Sequence, residues 1–358
     1  MSGDLVEPQA LGGAVSTIVL PALRSDDALG FLAALGVVEL LSRTEQLGAR
    51  LGWEGVGGAA VLQVDVADAD IGAVAERFRT VAVGLRDEGR PVPCDAGLIQ
   101  ARVSPAERKV RKAAGIEEKN DPMRAAPVVV RDRLRAVAAL ELAGDEATPR
   151  WASGLVTMLG IDRDGNCILT PLYAPAGQQV LGQLFEKYAR LAAEPGALLD
   201  ALVAWRRVPD TGANLDYRDL RDAVVSARGD AENATVPGAI WLALMASPLF
   251  RQVGDGRHSG AVGWAPDRPG GRPRNLVWPV WTGLRSPEAV EVLLAHPDVR
   301  DAARPRAGSK EPAPDARRRG RTARHLDALG VIAVCSAGRT PLGNADGPLQ
   351  AARVVWPA

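Results

Sequence analysis

Two runs of basic residues carry the plainest chemistry in this sequence. Arg108, Lys109, Arg111 and Lys112 form one, and Arg317, Arg318, Arg319, Arg321 and Arg324 form the other. Cationic side chains at this density hold phosphate oxygens, so both runs are candidate contacts to a nucleic-acid backbone. The plainer alternative is a solvated or partner-facing charge run. A third candidate is Pro175-Ala176-Gly177-Gln178-Gln179, followed by Phe185-Glu186-Lys187. It puts Gln178 and Gln179 at a helix start and Lys187 about two turns on, suited to a phosphate, a partner backbone or simple capping. Trp205 beside Arg206 and Arg207 combines a stacking ring with charge, and the same ring also suits a core anchor.

Other chemistries find no residues at the right spacing. The histidines, His258, His296 and His325, stand in separate segments, and neither Cys-x-x-Cys nor His-Glu-x-x-His occurs. A zinc site would need tertiary folding to bring together such a pair as His325 and Cys335. Asp162-Arg163-Asp164-Gly165-Asn166 begins like a calcium loop, but Cys167, Ile168 and Leu169 follow where ligands should be, so it reads as a turn. Phosphate-binding glycine loops and a Gly-x-Ser-x-Gly elbow are also missing. No catalytic residue, metal or cofactor is assigned. Carboxylates of a metal-dependent nuclease converge from distant positions, and that alternative stays open.

The elements that must position these groups follow from the apolar pattern. Ser16 to Leu23 predicts a strand, Ser25 or Asp26 a helix cap, and Asp27 to Leu41 a helix apolar on almost every face, hence an internal one. Gly30 and Gly36 inside that helix suit the close approach of another element. Ala59 to Val66 predicts a second strand and Asp68 to Asp87 an amphipathic helix, giving a β-α-β-α opening. Ser104-Pro105-Ala106-Glu107 starts a short helix that carries the first basic run. Further helices are expected from Pro122 to Leu142, from Trp151 to Leu159, through much of Ala176 to Arg228, from Pro237 to Phe250 and from Ser286 to His296. Strands are expected at Cys167 to Tyr173, Ala261 to Ala265, Leu276 to Trp281, Val331 to Cys335 and Ala352 to Trp356. The order predicts a helix-rich α+β fold with small mixed or antiparallel sheets and an apolar core helix near the amino terminus.

Three regions are expected: 1–90 (β-α-β-α), 91–145 (basic and helical) and 146–358 (α+β). The last includes an Arg/Pro-rich stretch, 301–323, read as a mobile loop because it has few apolar residues. With Lys plus Arg and Asp plus Glu at 43 each, no net field draws the 358-residue chain to nucleic acid, so any basic function is local. Three scattered cysteines do not make a disulfide framework. The amino-terminal MSGDLVEPQA is acidic where a secretory signal is basic, and the apolar helix is too short for a bilayer, so a cytoplasmic protein without membrane contact is expected.

The chain resembles a bacterial family encoded in type I-G (formerly I-U) CRISPR loci and described as an extension of the CRISPR helicase-nuclease. The residues that carry the resemblance are Leu20-Pro21-Ala22-Leu23 with Asp27 to Leu41, Pro175 to Lys187, Trp205-Arg206-Arg207, Val236 through Phe250, and Val277-Trp278-Pro279-Val280-Trp281. The opening strand and apolar helix also look like the start of the subtype's large subunit. The resemblance implies a non-catalytic accessory or effector-complex subunit in antiviral defence, with other CRISPR effector proteins as partners and RNA or DNA as further ligands open to its basic segments. It carries over no catalytic residue. The helicase and nuclease motifs of the CRISPR enzyme itself are not found here, which argues against assigning its activity to this chain.

Overall fold

A computed structural model describes residues 14–94, 109, 113, 127–162, 165–174, 180–218, 234–254, 259–266, 271–303, 316–342 and 345–357. The chain opens with β1 (Ser16–Arg24), α1 (Ala28–Glu39), β2 (Ala49–Trp53), β3 (Ala59–Val64) and α2 (Ile71–Glu88). Next come α3 (Pro127–Leu142), α4 (Ala147–Leu155), the hairpin strands β4 (Val156–Ile161) and β5 (Cys167–Leu169), α5 (Leu181–Ala192) and α6 (Ala197–Val203). The short pair β6 (Val208–Pro209) and β7 (Ala234–Thr235) precedes α7 (Pro237–Met245) and strands β8 (Gln252–Gly254), β9 (Ser259–Ala261), β10 (Trp264–Pro266) and β11 (Pro273–Trp281). Helices α8 (Pro287–Ala295), α9 (Pro297–Ala302) and α10 (Ala316–Ala328) lead to β12 (Val331–Leu342), β13 (Ala345–Leu349) and β14 (Arg353–Trp356). The fold is α+β, and every sheet among the described residues is antiparallel.

The apolar opening helix is internal because no face of it is polar. Every residue of α1 is buried, and Asp27 caps its start by accepting a 2.9 Å hydrogen bond from the Gly30 amide. The helix lies against α7, also buried throughout. Gly36 makes that approach possible, since a Cβ there would stand 1.8 Å from the Leu242 carbonyl oxygen. Between α1 and β3 lies β2, a strand that the β-α-β-α reading omits. Ala49-Arg50-Leu51-Gly52-Trp53 has little strand signal of its own, and its pairing with β3, from Ala49–Val64 to Trp53–Ala60, makes it one.

Two sheets share the core. The first has the order β1-β3-β2; the second runs β10-β11-β12-β13, with β14 also on β12. Leu51 of β2 exchanges two 2.9 Å backbone hydrogen bonds with Arg285, just beyond β11. Trp278 donates its indole N–H to the Ser25 carbonyl at 2.8 Å, and Trp281 donates to that of Leu51 at 3.0 Å. Those bonds let both indoles be wholly buried, and Phe31 of α1 stacks between Trp53 and Trp278, with ring centroids 5.7 and 5.4 Å away. Pro279 fits inside β11 because β10 reaches only Leu276, so no ladder on that side needs its amide.

Two further expectations are corrected. The helix expected from Trp151 to Leu159 stops at Leu155, and β4 begins at Val156, where Val156 and Thr157 pair with Leu169 and Ile168. The stretch 301–323 is not one loop. Helix α9 continues to Ala302 and α10 starts at Ala316, while 304–315 lies outside the described residues. Low apolar content misleads there, because a surface helix rich in Ala and Arg needs few anchors, here Thr322 and Leu326. No helix among the described residues is long and apolar enough to cross a membrane.

Candidate functional site

The second basic run sits on α10, and a buried carboxylate holds that helix in place. His296 ends α8 and caps α9, its Nδ1 accepting from the Asp298 amide at 3.3 Å. Pro297 opens α9, as its missing N–H and fixed φ favour. The Asp298 side chain, 8% exposed, turns towards α10. Thr322 donates its hydroxyl to Asp298 Oδ1 at 3.1 Å, and His325 Nδ1 lies 2.8 Å from Oδ2. Thr322 and Leu326, four residues apart, form the inner face of α10. At the far end Arg285 donates to the Leu329 carbonyl at 3.1 Å, and Gly330 turns the chain into β12 with φ 71°.

This arrangement fixes hydrogen positions as well as atoms. Burial alone would raise the pKa of Asp298, but the hydrogen bonds from His325 and Thr322 and the nearby imidazoles hold it below the usual carboxylate range. An ionised carboxylate only accepts, so the proton between the two side chains belongs to His325 Nδ1. The imidazole that carries it is half-exposed. Arg321 stands one turn before His325, Arg324 is its neighbour, and both arginines are exposed. The backbone of Arg317, Arg318 and Arg319 continues the same helix. The site therefore presents guanidinium groups on a pinned helix, a geometry suited to anionic oxygens.

The other expected residues are not gathered here. Lys109 is exposed on helical backbone, whereas Arg108, Arg111 and Lys112 lie outside the described residues, as do Gln178 and Gln179. Lys187 is a partly buried cation engaged by its own fold. Its ammonium lies 2.5 Å from Asp210 Oδ1 and 3.1 Å from the Thr211 hydroxyl, while Tyr188 donates to Asp210 Oδ2 at 2.6 Å. Burial pushes the Asp210 carboxyl up, and the bonds from Lys187 and Tyr188 outweigh it to leave its pKa lowered.

Two buried charge networks have no local sequence signal. Arg218 joins Asp27, at the start of α1, to Asp216 at 2.6 and 2.9 Å, and Arg207 binds the same Asp216 at 2.8 Å. Burial would make Arg218 easier to deprotonate, and the two carboxylates reverse that. Its guanidinium also lies over the rings of Tyr217 and Trp205, so the Trp205 to Arg207 segment serves the interior, apart from the exposed Arg206. At the other end of α1, Glu39 binds Arg150 at 3.0 Å; Arg150 reaches Glu291 at 3.5 Å, and Arg251 binds Glu291 at 3.1 Å. Sequence reasoning missed Asp298 and Glu39 because their partners lie 24 or more residues away in the chain, and missed Asp216 because nothing local marks it as buried between Arg207 and Arg218.

His325 is bonded to Asp298 through Nδ1. Cys335 is buried in β12 opposite Trp278, and burial, aided by Asp26, pushes its thiol up to about 12. No group of three or more His, Cys, Asp or Glu that could hold a metal ion occurs among the described residues. In comparisons with known proteins, no family model matches the chain and no curated protein matches it.

Proposed function

We propose that the chain is a non-catalytic accessory or effector-complex subunit of a type I CRISPR-Cas antiviral defence system. It acts by contact with protein partners and, through α10, with the phosphate backbone of RNA or DNA. One observation carries the binding half of this reading: Arg321 and Arg324 are exposed on a helix whose inner face is pinned by Asp298. Cations on a fixed scaffold engage phosphates at a smaller ordering cost than the same residues on a loose loop. The defence setting rests on the resemblance, whose residues include Asp27 to Leu41, Val236 to Phe250 and Val277 to Trp281.

Salt-dependent binding tests the reading. A labelled single-stranded oligonucleotide is expected to bind the pure chain at low salt, with affinity falling linearly as salt rises on logarithmic axes. Replacing both arginines (Arg321→Glu, Arg324→Glu) removes two phosphate contacts, so the slope should become shallower by about 1.4. A pure chain that binds neither nucleic acid at low salt nor the proteins of the same locus sinks the proposal. Metal-stimulated cleavage of the oligonucleotide would favour the nuclease alternative.

A further inference from the structure

A basic helix meets nucleic acid either inside a duplex groove or alongside one strand, and the charges of α10 suit only one of these. In the major groove of B-DNA, about 12 Å wide, a helix of about 10–12 Å faces phosphates on both of its flanks. The flanks of α10 differ. Buried Thr322 and Leu326 mark its inner face. Successive residues of an α-helix turn by about 100°, so Arg321 and Arg324 lie on one flank, about 60° apart. Backbone positions 317 and 318 fall on the same flank, and position 319 falls beside Leu326. Helix α9 bounds that flank on its inner side, where Asp298 meets Thr322 and His325. The opposite flank carries Ala323 and the exposed Asp327.

We propose, on the reading of α10 as a backbone-binding helix, that it holds single-stranded nucleic acid side-on, by the phosphates of one strand and without regard to base sequence. In a duplex groove Asp327 would face the phosphates of the second strand, like charge against like. Among the described residues of α10, that flank has no cation to offset it. Arg321 and Arg324, three residues apart with Cβ atoms about 5–6 Å from each other, reach neighbouring phosphates of a single strand. Bases are read from a groove chiefly by Arg, Lys, Asn and Gln. Helix α10 contains neither Asn nor Gln, and its two exposed arginines lie on the flank that meets the strand. Contacts to phosphate fix register and orientation but carry no sequence information directly.

The test is a set of salt titrations of the whole chain, read by fluorescence anisotropy, with a labelled single strand and a duplex of the same sequence. Arg321→Gln is expected to make the logarithmic salt slope of the single strand shallower by about 0.7. A change confined to the duplex overturns the proposal. Asp327→Lys puts a cation on the far flank, which side-on contact leaves idle, so the slopes of both probes should stay as in the wild type. A duplex slope steeper by about 0.9 in that variant shows a helix lying in the groove and overturns the proposal. Without any variant, single strands of different base composition are expected to bind the wild-type chain alike. A preference of about tenfold or more for one duplex sequence, the mark of a base-specific contact, overturns the proposal as well. Circular dichroism checks that the variants are folded. These outcomes leave the basic-helix reading intact, whereas binding unaffected by Arg321→Glu with Arg324→Glu overturns that reading itself.

Discussion

At the scale of single residues, the decisive features are charges taken out of water. Glu39 lies on the otherwise apolar α1, where burial raises its pKa and Arg150 pulls it back. Its folded pKa stays above the ordinary value, so its contribution to stability is full below that value and is lost as pH rises through the folded one. Arg150→Met would leave the carboxylate without its main partner, at a cost of about 3–5 kcal/mol when ionised. The variant should therefore lose more stability at about pH 8 than at about pH 4.5, where Glu39 takes up a proton. Urea unfolding at the two pH values measures this, and an equal loss at both would refute it. Little of it was legible in the sequence. Glu39 is visible there as an acid in an apolar helix, but Arg150, 111 residues on, cannot be assigned to it without the fold. Asp298 and His325 are hidden in the same way, whereas Arg321 and Arg324 announce themselves by number.

At the scale of elements, composition is a good guide to buried pieces and a poor one to surface pieces. Helix α1 and strand β11 are apolar in nearly every residue and could only be internal. Strand β2 and helix α10 are made by what they pair with or pack on, through Ala49 to Trp53 against β3 and through Thr322 against Asp298. Two glycines within helices make the distinction measurable. Gly36→Ala would drive a methyl group into the backbone of α7 at Leu242, which no side-chain rotation can relieve. A loss of at least about 3 kcal/mol is expected, as for a severe core overpacking. At Gly84 in α2 an added Cβ meets nothing within 4 Å, so Gly84→Ala should stabilise by about 0.5–1 kcal/mol through helix propensity. Denaturant midpoints of the two variants should move in opposite directions.

At the scale of the whole molecule, the amino-terminal and carboxy-terminal sheets are bonded to each other by Trp278, Trp281 and the Leu51–Arg285 pair, and Phe31 of α1 stacks between Trp53 of one and Trp278 of the other. The two sheets are expected to unfold together, so tryptophan fluorescence, which reports on that junction, and far-ultraviolet circular dichroism should follow one transition. Two separated transitions would show the sheets to be independent. The sequence suggested boundaries near residues 90 and 145 from breaks in its pattern, and such breaks say nothing of contacts made across them. The zero net charge is likewise a sum over the chain, silent about Arg321 and Arg324 standing together on one helix.

The cysteines give that cooperativity a clock. Cys167 and Cys335 are both fully buried, on β5 and on the central strand β12, and burial raises the pKa of each thiol. A thiol shielded in this way reacts with an alkylating reagent only when the chain around it opens. The unaltered protein thus carries two timers set in different sheets. In excess reagent they should be modified at a common rate, the rate at which the shared interior comes apart.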